Sequence, residues 1–213
     1  MVDLKVMKRK EKVEYIWDYY KIHIIISLIV LICIVSFIHG QVTKINYEFN
    51  LTIIGSRIDQ DKIDKFEKAL TPIVIKNPSK RQSAQIEVMP ITSLTSGKES
   101  SASQYMQKYA AEIGANVIDV VILDKTDFEA FEKQGGFLKL DNMKGIDLTA
   151  IKAEKLEGKP TDGEQGVYGI DLNGNKVLED LGVDTKDKIL CIQATSKQKE
   201  NSILAVKWIL GIK

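Results

Sequence analysis

One uncharged apolar run near the N-terminus constrains this chain more than any other feature. Residues 22–38 read IHIIISLIVLICIVSFI and contain no Asp, Glu, Lys or Arg. As a helix the run is about 26 Å long, and flanking residues extend it to the roughly 30 Å of a bilayer core. A buried core helix would show one polar stripe, whereas this run is apolar on every face. The sequence therefore predicts one transmembrane helix over residues 22–39.

Basic residues flank this run unequally. Six Lys and Arg residues lie within residues 1–21, and only Lys44 and Arg57 lie in the 20 residues after Ile38. Because basic flanks stay in the cytoplasm, residues 1–21 are predicted to be a cytoplasmic basic and aromatic segment of a plasma-membrane protein. Residues 40–213 are then outside. The exit, Ser36 to Gly40, lacks the small-residue pattern of a cleavage site, which favours an uncleaved signal anchor.

Composition excludes several classes of protein. The formal net charge of +1 provides no bulk attraction to nucleic acid, so no nucleic-acid partner is expected. Two Cys and two His exclude a disulfide framework and a Cys- or His-rich zinc site, and no cofactor or metal is predicted. An exported domain without a disulfide indicates a bacterial protein whose stability depends on core burial.

Residues 40–213 alternate between strand and helix patterns. Apolar β-branched runs bounded by turn residues predict strands, with VIDVVIL at 117–123 as a central parallel strand. Asp59 is a predicted helix N-cap, Pro72 a helix breaker, and Thr126 with Glu129 a capping box. The predicted strands are 45–55, 85–91, 117–123, 167–172 and 188–194, and the helices follow Asp59, span 102–113, run from Thr126 to about Gly135, and span 199–210. This order predicts a single three-layer α/β sandwich.

Three segments carry a family resemblance. ANVIDVVILDKTDFEAFEKQGGFLKLD at 115–141, GVYGIDL at 166–172 and ILCIQATSKQKENSILAVKWIL at 189–210 resemble extracellular solute-binding proteins of the type 2 periplasmic-binding fold. The resemblance covers most of residues 48–213 and implies an α/β domain with a ligand site. Family members have two lobes, whereas the connections here are short: 173–188 holds 16 residues, and 141–166 is expected to form at most a flap over the strand ends. The resemblance therefore implies one membrane-anchored lobe.

Ligand-binding candidates follow from the sheet. In an open α/β sheet, ligands bind beyond the carboxyl ends of the strands. The residues predicted at those ends are Gly55, Ser56, Arg57, Thr92, Ser93, Asp124, Lys125 and Thr126, with Tyr168 near the re-entrant strand. Each has an alternative reading as a helix cap, a turn residue or a solvated surface residue.

Three functions are compatible with these patterns. The leading hypothesis is recognition of a small-molecule ligand or a neighbouring membrane protein by the outer domain. The main rival is a ligand-free interaction or accessory module of a membrane complex. A hydrolytic enzyme is third, because the sequence contains no G-x-S-x-G, H-E-x-x-H or P-loop motif, and the acid pair Asp124 and Asp127 is expected to face solvent. The sequence therefore favours a protein that is not an enzyme.

Overall fold

The computed structural model of the protein describes residues 9–97, 100–141 and 143–212. The described chain divides between Lys44 and Ile45 into two compact units, an N-terminal helix and an α/β domain. Of the predicted cytoplasmic segment 1–21, residues 1–8 lie outside the described residues.

The N-terminal unit is one long helix, α1 (Arg9–Thr43). Its stretch Tyr20–Gly40, 21 residues, is long and apolar enough to cross a membrane, and signal sequences meet the same criteria of length and composition. Large apolar side chains along this stretch, from Ile22 to Ile38, are exposed. Ser27 Oγ donates to the carbonyl of Ile24 at 2.9 Å, so the helix itself satisfies this hydroxyl.

The α/β domain is built on one six-stranded mixed sheet. Its strands are β1 (Asn46–Ile54), β2 (Gln82–Met89), β3 (Val120–Asp124), β4 (Lys155–Gly158), β5 (Gly166–Asp171) and β6 (Lys188–Ile192). The order across the sheet is β2-β1-β3-β6-β5-β4. β1 pairs in parallel with β2 and β3, while β6 lies antiparallel between β3 and β5. The predicted central strand is therefore central, but only one of its two neighbours is parallel.

Helices cover both faces of the sheet and create two hydrophobic cores. The helices are α2 (Gln60–Val74), α3 (Ala102–Gly114), α4 (Lys125–Glu132), α5 (Lys176–Leu181) and α6 (Lys199–Ile209). On one face α2, α5 and α6 bury Phe66, Leu178 and Val206 against the strands. On the other, α3 and α4 bury Tyr109 and Phe128. The single three-layer α/β domain predicted from the sequence is confirmed.

The start of α2 follows the predicted local signals. Asp59 accepts a hydrogen bond from the Asp61 amide at 2.8 Å, as an N-cap does. Ile58 and Ile63, before and after this cap, are both buried in the first core. The predicted break at Pro72 is wrong. Proline removes only one intrahelical bond in this last turn, and the turn still closes through the Ile75 amide and the Thr71 carbonyl at 2.9 Å.

The predicted capping box at Thr126 and Glu129 is wrong by two residues. α4 begins at Lys125, directly after β3, and its N-cap residue is Asp124. The Asp124 side chain makes no capping bond, and its carboxylate instead accepts a hydrogen bond from Lys188 Nζ at 2.6 Å. At this helix start, a contact between neighbouring strands that are far apart in sequence therefore replaces the predicted local capping signal.

The connection between Asp141 and Gly166 does not form the expected flap. It contains a short 3-10 turn at Leu148–Ala150 and the edge strand β4, which pairs antiparallel with β5. Ile151 is buried in the first core, and Ile146 packs against it. The apolar residues of this connection therefore hold it against the sheet.

Candidate functional site

A cleft of about 450 Å³ lies where β1, β2 and β3 end and β6 begins. Its lining combines backbone from the strand ends with polar side chains; the lining residues are Ile53, Gly55, Ser56, Pro90, Ile91, Thr92, Asp124, Val183, Asp184, Lys186, Asp187 and Lys188. The chain enters the domain at the amino-terminal end of β1, whereas the cleft lies at the carboxyl-terminal end of the same strand.

Lys188 forms the floor of the cleft. Its side chain is 8% exposed, and Nζ donates to the carbonyl of Ile54 at 2.8 Å and to Asp124 Oδ1 at 2.6 Å. An ammonium group carries three donors, and these two contacts use two of them. Lys188 and Asp124 are also register partners in the antiparallel β3–β6 pair. One side chain from β6 therefore joins the ends of three adjacent strands.

The loop after β2 forms one wall. Thr92 lines the cleft, and the next residues turn inward toward α4. Asp127, fully buried in the first turn of α4, accepts hydrogen bonds from Ser93 Oγ at 2.7 Å and from the Leu94 amide at 2.8 Å. Thr95 donates to the same carboxylate through its amide at 3.0 Å and its hydroxyl at 2.6 Å. The loop is thus tied to a single buried anion.

The turn before β6 forms the facing wall and carries most of the exposed charge. Asp184, Lys186 and Asp187 are exposed and line the cleft. Asp187 has φ of 56°, an uncommon conformation outside glycine but tolerated by Asp. Its carbonyl accepts from the Lys125 amide at 3.0 Å, which fixes this turn to the start of α4. The rim of the cleft therefore carries both positively and negatively charged side chains, and they surround a floor formed by the Lys188–Asp124 ion pair.

Four of the nine predicted site residues come together in this cleft. Gly55 and Ser56 follow β1, Thr92 follows β2, and Asp124 ends β3. These four residues lie together because β1, β2 and β3 are parallel, so their carboxyl ends meet on one side of the sheet. A ligand role for each remains a prediction.

The other five predicted residues do not line the cleft. Arg57, Lys125 and Thr126 are exposed beside it. Ser93 is buried, and its hydroxyl is committed to Asp127. Tyr168 is buried in the second core, and its hydroxyl donates to the Glu164 carbonyl at 2.7 Å beside a separate hollow.

The two residues that organise the cleft, Lys188 and Asp127, are not among the predicted site residues. Lys188 lies 64 positions after Asp124, and only the antiparallel insertion of β6 beside β3 brings them together. The expectation that the acid pair faces solvent is wrong for Asp127, which has no exposed surface. The local sequence feature that could indicate a buried Asp127 is the segment Ser93–Thr95, which contains several hydroxyl and amide donors. A single sequence does not show where these donors point.

A second charge cluster lies away from the cleft, between β2 and α3. Lys108 pairs with Glu87 and lies 3.9 Å from Glu112. Burial, followed by the negative charge of Glu87, raises the pKa of Glu112 to about 7, whereas Lys108 acts in the opposite direction. Two carboxyl groups thus share one ammonium group at the edge of the sheet.

Comparison with known proteins gives one distant similarity. The sequence matches no protein-family model and no curated protein. The structure is distantly similar to that of an extracellular solute-binding protein family 1 from Alicyclobacillus acidocaldarius subsp. acidocaldarius DSM 446, with 21% sequence identity and a TM-score of 0.33. The match covers 60% of this chain and 28% of the other, so this chain spans under a third of that protein's length.

Proposed function

We propose that this protein is a single-pass membrane protein whose α/β domain, held outside the cytoplasm, recognises a small polar ligand in the cleft at the strand ends. The cleft carries this proposal. Its volume of about 450 Å³ lies within the range of roughly 300 to 1,000 Å³ found for small-molecule sites. It also lies where open α/β sheets bind ligands.

The cleft favours binding without catalysis. The Lys188 ammonium is committed to Asp124 and to the Ile54 carbonyl. The polar groups at the rim, such as Ser56 and Thr92, are hydrogen-bonding groups suited to a hydroxyl, amide or charged ligand. Recognition therefore needs no chemistry beyond hydrogen bonds and charge.

The proposed affinity is modest. The domain is one lobe with one sheet, and a ligand resting on its rim keeps part of its surface in water. A closed site between two lobes would remove most of that surface. We therefore expect dissociation constants weaker than about 1 μM, equivalent to about −8 kcal/mol.

Thermal unfolding of the full chain in detergent micelles tests ligand recognition. Pools of sugars, amino acids and short peptides are added at millimolar concentration, and a pool that contains a ligand should raise the unfolding temperature by mass action. If no pool has this effect and a membrane protein of the same cell co-purifies stoichiometrically, the ligand-free interaction module replaces this proposal.

A reporter fusion tests the membrane topology. The unequal basic flanks and the apolar stretch Tyr20–Gly40 support an N-terminus in the cytoplasm. A reporter active only outside the cytoplasm, fused after Lys213, should therefore be active. Intact-mass measurement of the purified protein should give a chain that retains α1. An inactive reporter would reverse the orientation, and loss of the apolar stretch would identify a cleaved signal sequence.

A further inference from the structure

We propose that Asp127 is a positioning residue that sets the wall of the cleft at Thr92, although it contacts no ligand itself. This inference rests on the proposed function, because the position of the wall matters only if the cleft binds a ligand. The hydrogen bonds that hold the wall do not depend on that function. Asp127 belongs to α4, while the wall belongs to the loop after β2, more than 30 positions earlier in the chain.

The hydrogen bonds of Asp127 all serve one loop. Its Oδ1 accepts from Ser93 Oγ and from both donors of Thr95, and its Oδ2 accepts from the Leu94 amide. Ser93 Oγ in turn accepts from the Ser96 amide at 3.2 Å. A buried carboxylate is stable only when such donors replace its water, so the loop and the anion require one another.

The junction between β3 and α4 also holds the floor of the cleft. Asp124, three residues before Asp127, accepts from Lys188 across the sheet. Asp124 is the last residue of β3 and the N-cap residue of α4, so the two carboxyl groups lie three residues apart at one strand–helix junction. One of them binds the floor and the other binds the loop that forms the wall, so this junction sets the separation between wall and floor.

Asp119 provides a matched control at the opposite end of β3. It is also buried, and it accepts from the Asn50 amide at 2.9 Å and from Ser196 Oγ at 2.6 Å. Asp119→Asn makes the same chemical change as Asp127→Asn, but it touches no residue of the cleft. Any general loss of stability should appear in both variants, whereas a change of the wall should appear only in Asp127→Asn.

Spin labels across the cleft test the proposal on the full chain in micelles. Thr92→Cys and Lys186→Cys place one label on each wall, in a Cys33→Ser background, and the buried Cys191 stays unlabelled. Asp127→Asn should widen the distribution of distances between the labels at least twofold. Asp119→Asn should leave it unchanged.

Amide hydrogen exchange provides the second readout. In Asp127→Asn, peptides that contain Leu94, Thr95 and Ser96 should exchange at least tenfold faster, while Asp119→Asn leaves those rates within twofold. Should Asp127→Asn fail to fold, Thr95→Val removes one hydroxyl donor from an exposed residue and should widen the distances in the same direction.

Equal effects of the two Asp variants, or unchanged distances in Asp127→Asn and Thr95→Val, would overturn the positioning role. These readouts need no ligand, so the outcome is separate from that of the proposed function. If ligand binds but the distances do not change, the positioning role is wrong and the proposed function stands. If the distances change but no pool binds, the positioning role stands and the proposed function is wrong.

Discussion

Replacing Lys188 by Met tests the ion pair that closes the floor of the cleft. The substitution keeps an unbranched side chain one atom shorter but leaves Asp124 Oδ1 and the Ile54 carbonyl without their donor. Removing one partner of a buried pair costs about 3 to 5 kcal/mol. Asp124 remains 20% exposed, so water can replace part of the lost contact. We therefore expect the free energy of unfolding to fall by about 2 to 4 kcal/mol.

Urea unfolding of the full chain in micelles measures this change. Trp208 packs against Phe66 with ring centroids 5.0 Å apart, and its fluorescence reports the first core. A Trp17→Phe background makes Trp208 the single tryptophan, since the sequence contains two. Lys139→Met serves as the control, because its pair with Glu164 lies at the surface and should leave the midpoint unchanged.

A double-mutant cycle with Asp124→Asn isolates the coupling. The double variant contains no charge on the floor, so its loss should be smaller than the sum of the two single losses by about 2 kcal/mol. Additive losses, each below about 0.5 kcal/mol, would mean that the pair behaves as a solvated surface contact, and the account of the floor would be refuted.

Three further predictions concern the core, the charge cluster and the edge of the sheet. Ile122→Ala on the central strand should cost about 2 to 4 kcal/mol in urea unfolding, because Ile122 is fully buried; an unchanged midpoint would contradict its place in the core. Because the pKa of Glu112 is raised in the folded state, stability should fall as pH rises from about 4.5 to 7; Glu112→Gln should flatten this slope in thermal unfolding, and an unchanged slope would assign it to another group. Glu67 Oε1 accepts from the Ile86 amide of edge strand β2 at 2.8 Å, so Glu67→Ala should increase aggregation in light scattering, whereas monodisperse protein would show that the edge needs no such cover.

The sequence specifies the elements of this fold better than their arrangement. Apolar β-branched runs and caps such as Asp59 act over a few residues, and they predict five of the six strands and most helix starts, but not the short edge strand β4. The place of β6 depends on contacts between residues more than 60 positions apart, such as Val120 with Ile192. No local pattern shows that β6 enters between β3 and β5.

The dependence on contacts between distant parts of the sequence also explains which residues of the cleft are predictable and which are not. Gly55, Ser56, Thr92 and Asp124 are predictable, because each follows a strand whose end the sequence indicates. Lys188 is not, since its side chain acts across two neighbouring strands. Thr126 is wrongly predicted as a cap for a related reason: the pairing of β3 with β6 determines what the adjoining carboxylate binds.

Calorimetric titration tests ligand recognition in the cleft most directly. Compounds from any pool that raises the unfolding temperature are titrated into the full chain, into Ser56→Trp, which fills the cleft, and into Thr195→Trp, which adds the same ring to an exposed turn outside the cleft. We predict a dissociation constant between about 1 μM and 1 mM for the wild-type chain, retained in Thr195→Trp and lost in Ser56→Trp. Binding that persists in Ser56→Trp, or a dissociation constant tighter than about 1 μM, would contradict recognition by one open lobe.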